Sequence, residues 1–435
     1  MVQIQADLVV AGAALPTNPN EPVDLYVAKG HIVALLPAGA PHSSPAPPPV
    51  AQGGRVISGK GQLLFPGLTD VHTHLREPGQ EWKETIATGL AAAAKGGFVN
   101  VMCMANTDPI NDQASVTATM LEKAVAARPL GPRLFPIGAL TMGLEGRALA
   151  PMEELKRAGC RAFSNDGRPV ADAEIFRRAL EYASDLKIMV IDHCEDPFLA
   201  PGAGINEGVT SARLGLRGAP AAGEAIQVAR DCLLAAYLNV PIHLAHISCV
   251  ASVDAIRQAK AAGAPVTAET CPHYLTLTEE ACEGYDTNAK VNPPLRTRED
   301  QLALLAALED GTIDILATDH APHAVHEKEV PFGEAPNGIS GLETALSLTW
   351  DLVSRGALSA QAFLRAWCRR PAEIFGLPVN RFLPGDVADF ILFDPASRWT
   401  VTERSLVSKG KNTPFLGKKL TGQVKAAFVS GQNVL

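Results

Sequence analysis

The sequence predicts an α/β fold: a (β/α)8 TIM barrel carrying a small β-sandwich domain assembled from both ends of the chain. Three observations lead there. Over residues 61–375, short apolar runs alternate with amphipathic stretches of helical length, the pattern of a parallel sheet covered by helices. Residues 1–60 and 376–435 instead alternate β-rich pieces with turns, as one small sheet domain interrupted by a long insertion would. Finally, polar side chains able to do chemistry recur where the apolar runs of the middle segment end.

The elements follow in order. Met1 to Val10 reads as a strand, because Ile4, Ala6, Leu8 and Val10 share one parity. Asp7 to Ala11, Leu25 to Ala28, His31 to Leu36 and Val56 to Ser58 are the β-rich pieces of the N-terminal segment. Pro37 to Gly54, crowded with Pro, Ala, Ser and Gly, is expected to be a mobile surface loop. Barrel strands are expected near Leu63 to His72, Phe98 to Met104, Arg133 to Leu140, Arg161 to Ser164, Ile188 to His193, Pro241 to Ile247, Pro265 to Thr270 and Ile313 to Thr318. Eight strands at fairly even spacing fit a closed barrel better than an open doubly wound sheet. No Gly-x-Gly-x-x-Gly follows any of them, which leaves a dinucleotide site unsupported. Gly385 to Phe393 and Val424 to Val429 return the chain to the small domain.

Composition narrows the function. The 435 residues are 47% hydrophobic and 19% charged, with a formal net charge of -8 and no basic stripe. That balance argues against nucleic acid or an anionic membrane as partner. The N-terminus lacks the basic segment of a signal peptide, and no apolar run reaches the length of a membrane span. Eight cysteines are scattered without a C-x-x-C spacing, which predicts small buried hydrophobes in a reducing cytoplasm.

The most informative feature is His72-Thr73-His74, which ends the run that begins at Leu63. Side chains two apart on a strand share a face, so the pair presents two imidazoles together. His193, His246 and Asp319 recur at later strand ends, Asn106 follows the second strand and Asp166 the fourth. Imidazoles with carboxylates and no thiolate suit Zn2+, or Mn2+, Co2+ or Fe2+ by availability. Four His and two Asp exceed the need of one tetrahedral ion and would hold two that share a bridging carboxylate and a hydroxide. Two such ions make hydroxide available near neutral pH and polarise a carbonyl for attack. Of His243 and His246, which face opposite sides, the latter lies nearer the strand end and is the expected ligand. His243 reads as a hydrogen-bonded structural residue, and His273 and His320 as supporting or structural histidines. His31, His42 and His326 read as solvated, and Cys194 as a strand neighbour pointing away.

These residues resemble the amidohydrolase superfamily and, within it, the class I dihydroorotases. The matching runs are Phe65 to Gly79, Met104 to Thr107, Phe163 to Gly167, His193 to Asp196, His243 to His246, Ala317 to His323 and Gly338 to Thr344, in the family's order along the whole barrel. Members interconvert N-carbamoyl-L-aspartate and L-dihydroorotate, the third step of de novo pyrimidine synthesis. The resemblance implies that His72, His74 and Asp319 hold one metal and His193 and His246 the other, with Asp166 bridging. It further implies two Zn2+ per chain, a substrate carboxylate gripped by Arg76, Asn106 and His323, and a ring amide held by Asn292 and the Asn337-Gly338 backbone. His74 would border the substrate as well, and Asp319 would be the catalytic proton shuttle. The planar fork of Arg76 suits a carboxylate; the plain alternative for it is a rim salt bridge with Glu77 or Glu81.

Many relatives bridge their metals with a carboxylated lysine on the fourth strand. This chain has no lysine between Arg157 and Leu186, and it reads Asn165-Asp166-Gly167 where the family commonly has Asp-Asp-Gly, which leaves the bridge to Asp166. The rival functions are another cyclic amide hydrolase (hydantoinase, dihydropyrimidinase or allantoinase) and a non-catalytic partner of aspartate transcarbamoylase. Two protein partners come with the resemblance, a second copy of the chain and aspartate transcarbamoylase.

Overall fold

The structure, a computed structural model, describes residues 4–39, 47–127 and 131–435. Two large sheets organise it. The N-terminal strands are β1 (Ala6–Leu15), β2 (Asn18–Ala28), β3 (His31–Pro37), β4 (Val50–Ser58) and β5 (Leu63–Pro66). The barrel strands follow as β6 (Leu68–Thr73), β7 (Phe98–Cys103), β8 (Arg133–Ala139), β9 (Ala162–Ser164) and β10 (Met189–Asp192). A short parallel pair, β11 (Ile205–Asn206) and β12 (Gly218–Ala219), precedes the barrel strands β13 (Ile242–Leu244), β14 (Val266–Thr270) and β15 (Ile315–Leu316). The chain ends in β16 (Phe390–Thr400), β17 (Lys419–Val429) and β18 (Gln432–Asn433).

The eight barrel strands are parallel and run in the order β15-β14-β13-β10-β9-β8-β7-β6. The seam between the outer two is closed by a carboxylate. Asp70 accepts from Thr318 Oγ1 at 2.5 Å and Thr318 N at 3.1 Å, while His74 N donates to His320 O at 2.8 Å. Asp70 is fully buried, and burial raises its pKa to about 7. The interior is packed with apolar side chains, among them Val71, Met102, Ile137, Ile191 and Ile315, so the barrel is a core and not a pore.

The second sheet joins both ends of the chain. Its order is β18-β17-β16-β5-β1-β2-β3, with β4 parallel to β1. Leu8, Val10, Leu25, Leu64, Phe390 and Phe428 meet in one core, so the sandwich is made by a single hydrogen-bonded sheet folding over. Phe65 fastens this sheet to the barrel's helices, with ring centroids 5.3 Å from Trp350 and 5.7 Å from Phe363.

Two expectations are corrected here. The strand expected from Leu63 to His72 is two strands that part at Gly67: Gly67 N donates to Asp389 O in the terminal sheet, whereas Leu68 N donates to Gly97 O at the barrel. The expected loop from Pro37 to Gly54 ends in a strand: β4 starts at Val50, which pairs with Ala6, and runs on into Arg55 to Ser58, which pair with Leu8 to Ala11 on the free edge of β1. Residues 40–46 of that loop, with His42, lie outside the described residues, as do residues 1–3 of the first expected strand.

Candidate metal and catalytic site

The strand ends converge on one cavity of about 180 Å³. His74, Arg76, Asn106, Asp166, His193, His246, Asn292, Asp319, His323, Asn337 and Gly338 all border it, and His72 lies fully buried beside it. Every site residue singled out in the sequence is therefore in one place. Arg76, His246 and Asp319 hold their positions with left-handed backbone, at φ of 63°, 37° and 47°. Such conformations cost of order 1–3 kcal/mol each, and the surrounding structure must enforce them.

Two groups of side chains able to hold a metal ion share Asp166. On one side His72 Nε2 lies 3.3 Å from Asp166 Oδ1 and His74 Nε2 lies 3.4 Å from Oδ2. On the other, His193 Nδ1 and His246 Nε2 are each 3.5 Å from Oδ1 and 2.8 Å from one another. Asp319 Oδ1 stands 3.2 Å from His74 Nε2 and 3.6 Å from His72 Nε2. His72 Nε2 and Asp166 Oδ1 are buried without a hydrogen-bond partner, which is costly unless something else satisfies them. A divalent metal would, and the all-imidazole and carboxylate donor set fits one.

Neighbours orient these ligands. Glu269, fully buried on β14, approaches His72 Nδ1 at 2.6 Å with one oxygen and His243 Nε2 at 3.1 Å with the other, while His243 Nδ1 meets Thr267 Oγ1 at 2.8 Å. His74 Nδ1 donates to Asn106 Oδ1 at 2.8 Å. Glu195 takes His193 Nε2 at 2.8 Å and accepts from Asn292 Nδ2, also at 2.8 Å. His72, His74 and His193 thus turn their other nitrogen inward. Burial opposes charge on His72, yet Asp166 and Glu269 hold its pKa well above the ordinary value, and burial likewise opposes but does not prevent the fall of Asp166 and Asp319 beside these imidazoles.

At the opposite wall Arg76 is buried, so the rim salt bridge is not formed. Its Nε donates to Pro322 O at 3.1 Å, and Glu77 pairs with Lys123 instead. His323 Nε2 donates to Asn337 O at 2.8 Å. Burial and then Arg76 lower the His323 pKa to about 2, so it works as a neutral group. Gly338, at φ 142°, has no room for a side chain: a Cβ would fall 2.7 Å from Ala321 O and 3.1 Å from His323 Nε2. Asn165 turns away, accepting from Thr141 N at 3.0 Å. Cys194 Sγ also points away, toward Asp192 O.

Glu269, Glu195 and Glu84, which stands 3.4 Å from His320, were not singled out from the sequence, whereas His320 was expected as a supporting or structural histidine. A carboxylate inside the apolar strand Val266–Thr270 was the available signal for Glu269.

Comparison with known proteins then decides the family. A family model described as dihydro-orotase-like matches residues 61–252. The dihydroorotase of Geotalea daltonii (strain DSM 22248 / JCM 15807 / FRC-32) is 48% identical over 417 residues, which is 96% of each chain. The chain belongs to the dihydroorotase family. A second member, the dihydroorotase of Desulforapulum autotrophicum, is 47% identical over 96% of each chain. Among solved structures, the L-hydantoinase (dihydropyrimidinase) from Arthrobacter aurescens superimposes with a TM-score of 0.85 at 23% identity, covering 99% of this chain and 96% of its own, a likeness of fold.

Proposed function

We propose that this dihydroorotase-family chain reversibly cyclises N-carbamoyl-L-aspartate to L-dihydroorotate with loss of water, the third step of de novo pyrimidine synthesis. The observation that carries the reading is the pairing, across one cavity, of a six-residue His/Asp cluster with the buried guanidinium of Arg76. Dihydrouracil and unsubstituted hydantoin have no carboxylate to engage that guanidinium.

His72, His74 and Asp319 would hold one divalent ion and His193 and His246 a second, with Asp166 between them, and Zn2+ suits these donors. When bound, such ions supply a more acidic water and a polarised amide carbonyl. The protein's own residues do the rest. Arg76 and the Asn106 amide donate to the substrate carboxylate, and His323, its one proton held by Asn337 O, borders that carboxylate as a neutral ring, while Asn292 and the Asn337-Gly338 backbone face the ring amide. His74 borders the substrate from the metal side.

Asp319 carries the proton. In ring opening its carboxylate takes the proton from the attacking water as the new C–O bond forms, then gives it to the amide nitrogen as the C–N bond breaks. Ring closure runs the same transfers backward. Burial opposes its ionisation, but His72 and His74 keep its pKa below the ordinary value, so the base form is present at neutral pH.

Turnover by the purified chain alone tests the reading: dihydroorotate opened and N-carbamoyl-aspartate closed, with dihydrouracil a poor substrate. Efficient dihydrouracil hydrolysis would favour a dihydropyrimidinase, and an inert, fully metallated chain a non-catalytic partner. The same proposal includes a homodimer and an association with aspartate transcarbamoylase, both read by the mass of the chain alone and mixed with that enzyme. It also places the reaction in the cytoplasm, supported by eight cysteines that are all free and buried. No helix among the described residues is long and apolar enough to cross a membrane.

A further inference from the structure

Behind the wall that carries His323 and Gly338 lies a side chain from the far end of the sequence. Asn412 belongs to the segment between β16 and β17 and is buried. Its Nδ2 donates to Ala321 O at 3.0 Å and to Gly338 O at 2.9 Å. Its Oδ1 accepts from His323 N at 2.8 Å and from Ser340 Oγ at 2.9 Å. The amide's two donors and two lone pairs are all used, and its backbone carbonyl takes Ser340 N at 2.8 Å. One side chain therefore spans both loops of that wall, 321–323 and 338–340.

The segment that presents it is fastened to the barrel. Glu343 accepts from Val407 N at 2.8 Å and Ser408 N at 3.1 Å. The fully buried Glu84 accepts from Lys409 N at 3.1 Å and from Ser408 Oγ. Gly410 then passes so close to Pro322 that a Cβ would lie 2.4 Å from the proline Cβ. Pro322 is the residue whose carbonyl receives Arg76 Nε.

We propose that Asn412 is a positioning residue for substrate recognition: by clamping 321–323 to 338–340 it sets the placement of Arg76 and His323 around the substrate carboxylate. It does not border the cavity, so it acts through those groups. The proposal rests on the reading of Arg76 and His323 as the carboxylate grip.

Two variants of the full-length, metal-loaded protein test it: Asn412→Ala, which removes the clamp, and Gly410→Ala, whose Cβ would fall 2.4 Å from Pro322 Cβ and 2.9 Å from Asn412 Oδ1 and so strains the same clamp with the amide still present. Each is assayed for KM and kcat with dihydroorotate, for turnover of dihydrouracil, for metal content and for melting temperature. The expected result is a KM for dihydroorotate raised by about tenfold or more, a much smaller change in kcat, unchanged metal, and no comparable loss on dihydrouracil. Should Asn412→Ala not fold, Gly410→Ala carries the test. Unchanged KM in a folded variant, or equal losses on both substrates, overturns the positioning role. If the parent protein handles dihydrouracil as well as dihydroorotate, the underlying reading of the carboxylate grip has failed instead, and the proposal with it.

Discussion

His72 Nδ1 lies 2.6 Å from Glu269 Oε1, and both side chains are fully buried. The carboxylate fixes which nitrogen of His72 faces the cavity, and through its second oxygen it ties that choice to His243, one strand further round the barrel. Burial opposes ionisation of Glu269, but His72 and His243 hold its pKa well below the ordinary range. It is therefore a charged acceptor at every working pH, and it makes a ligand imidazole more basic.

Glu269→Gln should leave the fold in place and weaken metal binding by roughly 10- to 100-fold, the usual cost of losing such a partner. Competition with a chelator of known affinity measures it. Glu269→Ala should be worse in stability as well, by about 1–3 kcal/mol for each polar atom left buried and unpaired. Wild-type metal affinity in Glu269→Gln would show that His72 is oriented by packing alone.

Arg76→Ala should raise KM for dihydroorotate steeply while leaving metal content unchanged. A hydrogen bond between charged groups is worth about 1.5–3 kcal/mol, or roughly 10- to 150-fold. Arg76→Lys should recover little, because the guanidinium splits its donors between Pro322 O and the cavity, which an ammonium of different reach does not reproduce. A normal KM in the alanine variant would remove Arg76 from substrate binding.

The metal-free site should show its charge in the pH dependence of stability. Burial opposes it, but Asp166 and Glu195 raise the His193 pKa from 6.5 to about 10, and His193 in turn lowers the Glu195 pKa, against burial, from 4.5 to about 2. A raised histidine stabilises fully below 6.5 and loses that contribution as pH climbs toward 10, whereas a depressed carboxylate stabilises fully above 4.5 and loses it as pH falls toward 2. The pair's contribution is thus largest between 4.5 and 6.5. Chelator-treated protein should melt at progressively lower temperature as pH rises above 6.5. Adding Zn2+ at neutral pH should release protons, because a ligating imidazole is neutral, and the loaded protein should lose the alkaline slope. Calorimetry in buffers of different ionisation enthalpy counts the protons, and a count of zero would contradict a protonated His193.

The part of this site that was legible in the sequence is the part barrel geometry makes local. His72, Asp166, His193, His246 and Asp319 each end an apolar run, so a closed parallel barrel brings them together whatever the loops do. Glu195 and Glu269 carry weaker marks, one beside a ligand and one inside a strand, and their partners depend on side-chain direction. Asn412 carries none, since its bond to His323 joins residues 89 apart and exists only because the C-terminal segment crosses back over the barrel. The same limit hid the first part of β4: Val56 to Ser58 read as β-rich, but Val50 to Gly54 fell in the expected loop, and only the open edge of β1 makes them a strand.

Asp319 is where ligation and proton transfer meet. Its Oδ1 is engaged by His74 at 3.2 Å, and with that oxygen committed we assign proton transfer to Oδ2. Asp319→Asn keeps the size and one oxygen, so the fold and much of the metal should survive, while general acid–base catalysis, worth about 10²–10⁴-fold, is lost. The equilibrium constant is unchanged by the substitution, so kcat/KM for ring opening and for ring closure must fall by the same factor at one pH. His323 cannot substitute, since its pKa near 2 leaves no protonated fraction to donate at neutral pH. Steady-state rates from dihydroorotate and from N-carbamoyl-aspartate, measured on one metal-assayed preparation, check this. A metal-loaded Asp319→Asn that kept near wild-type rates would require another proton carrier and end the single-shuttle account.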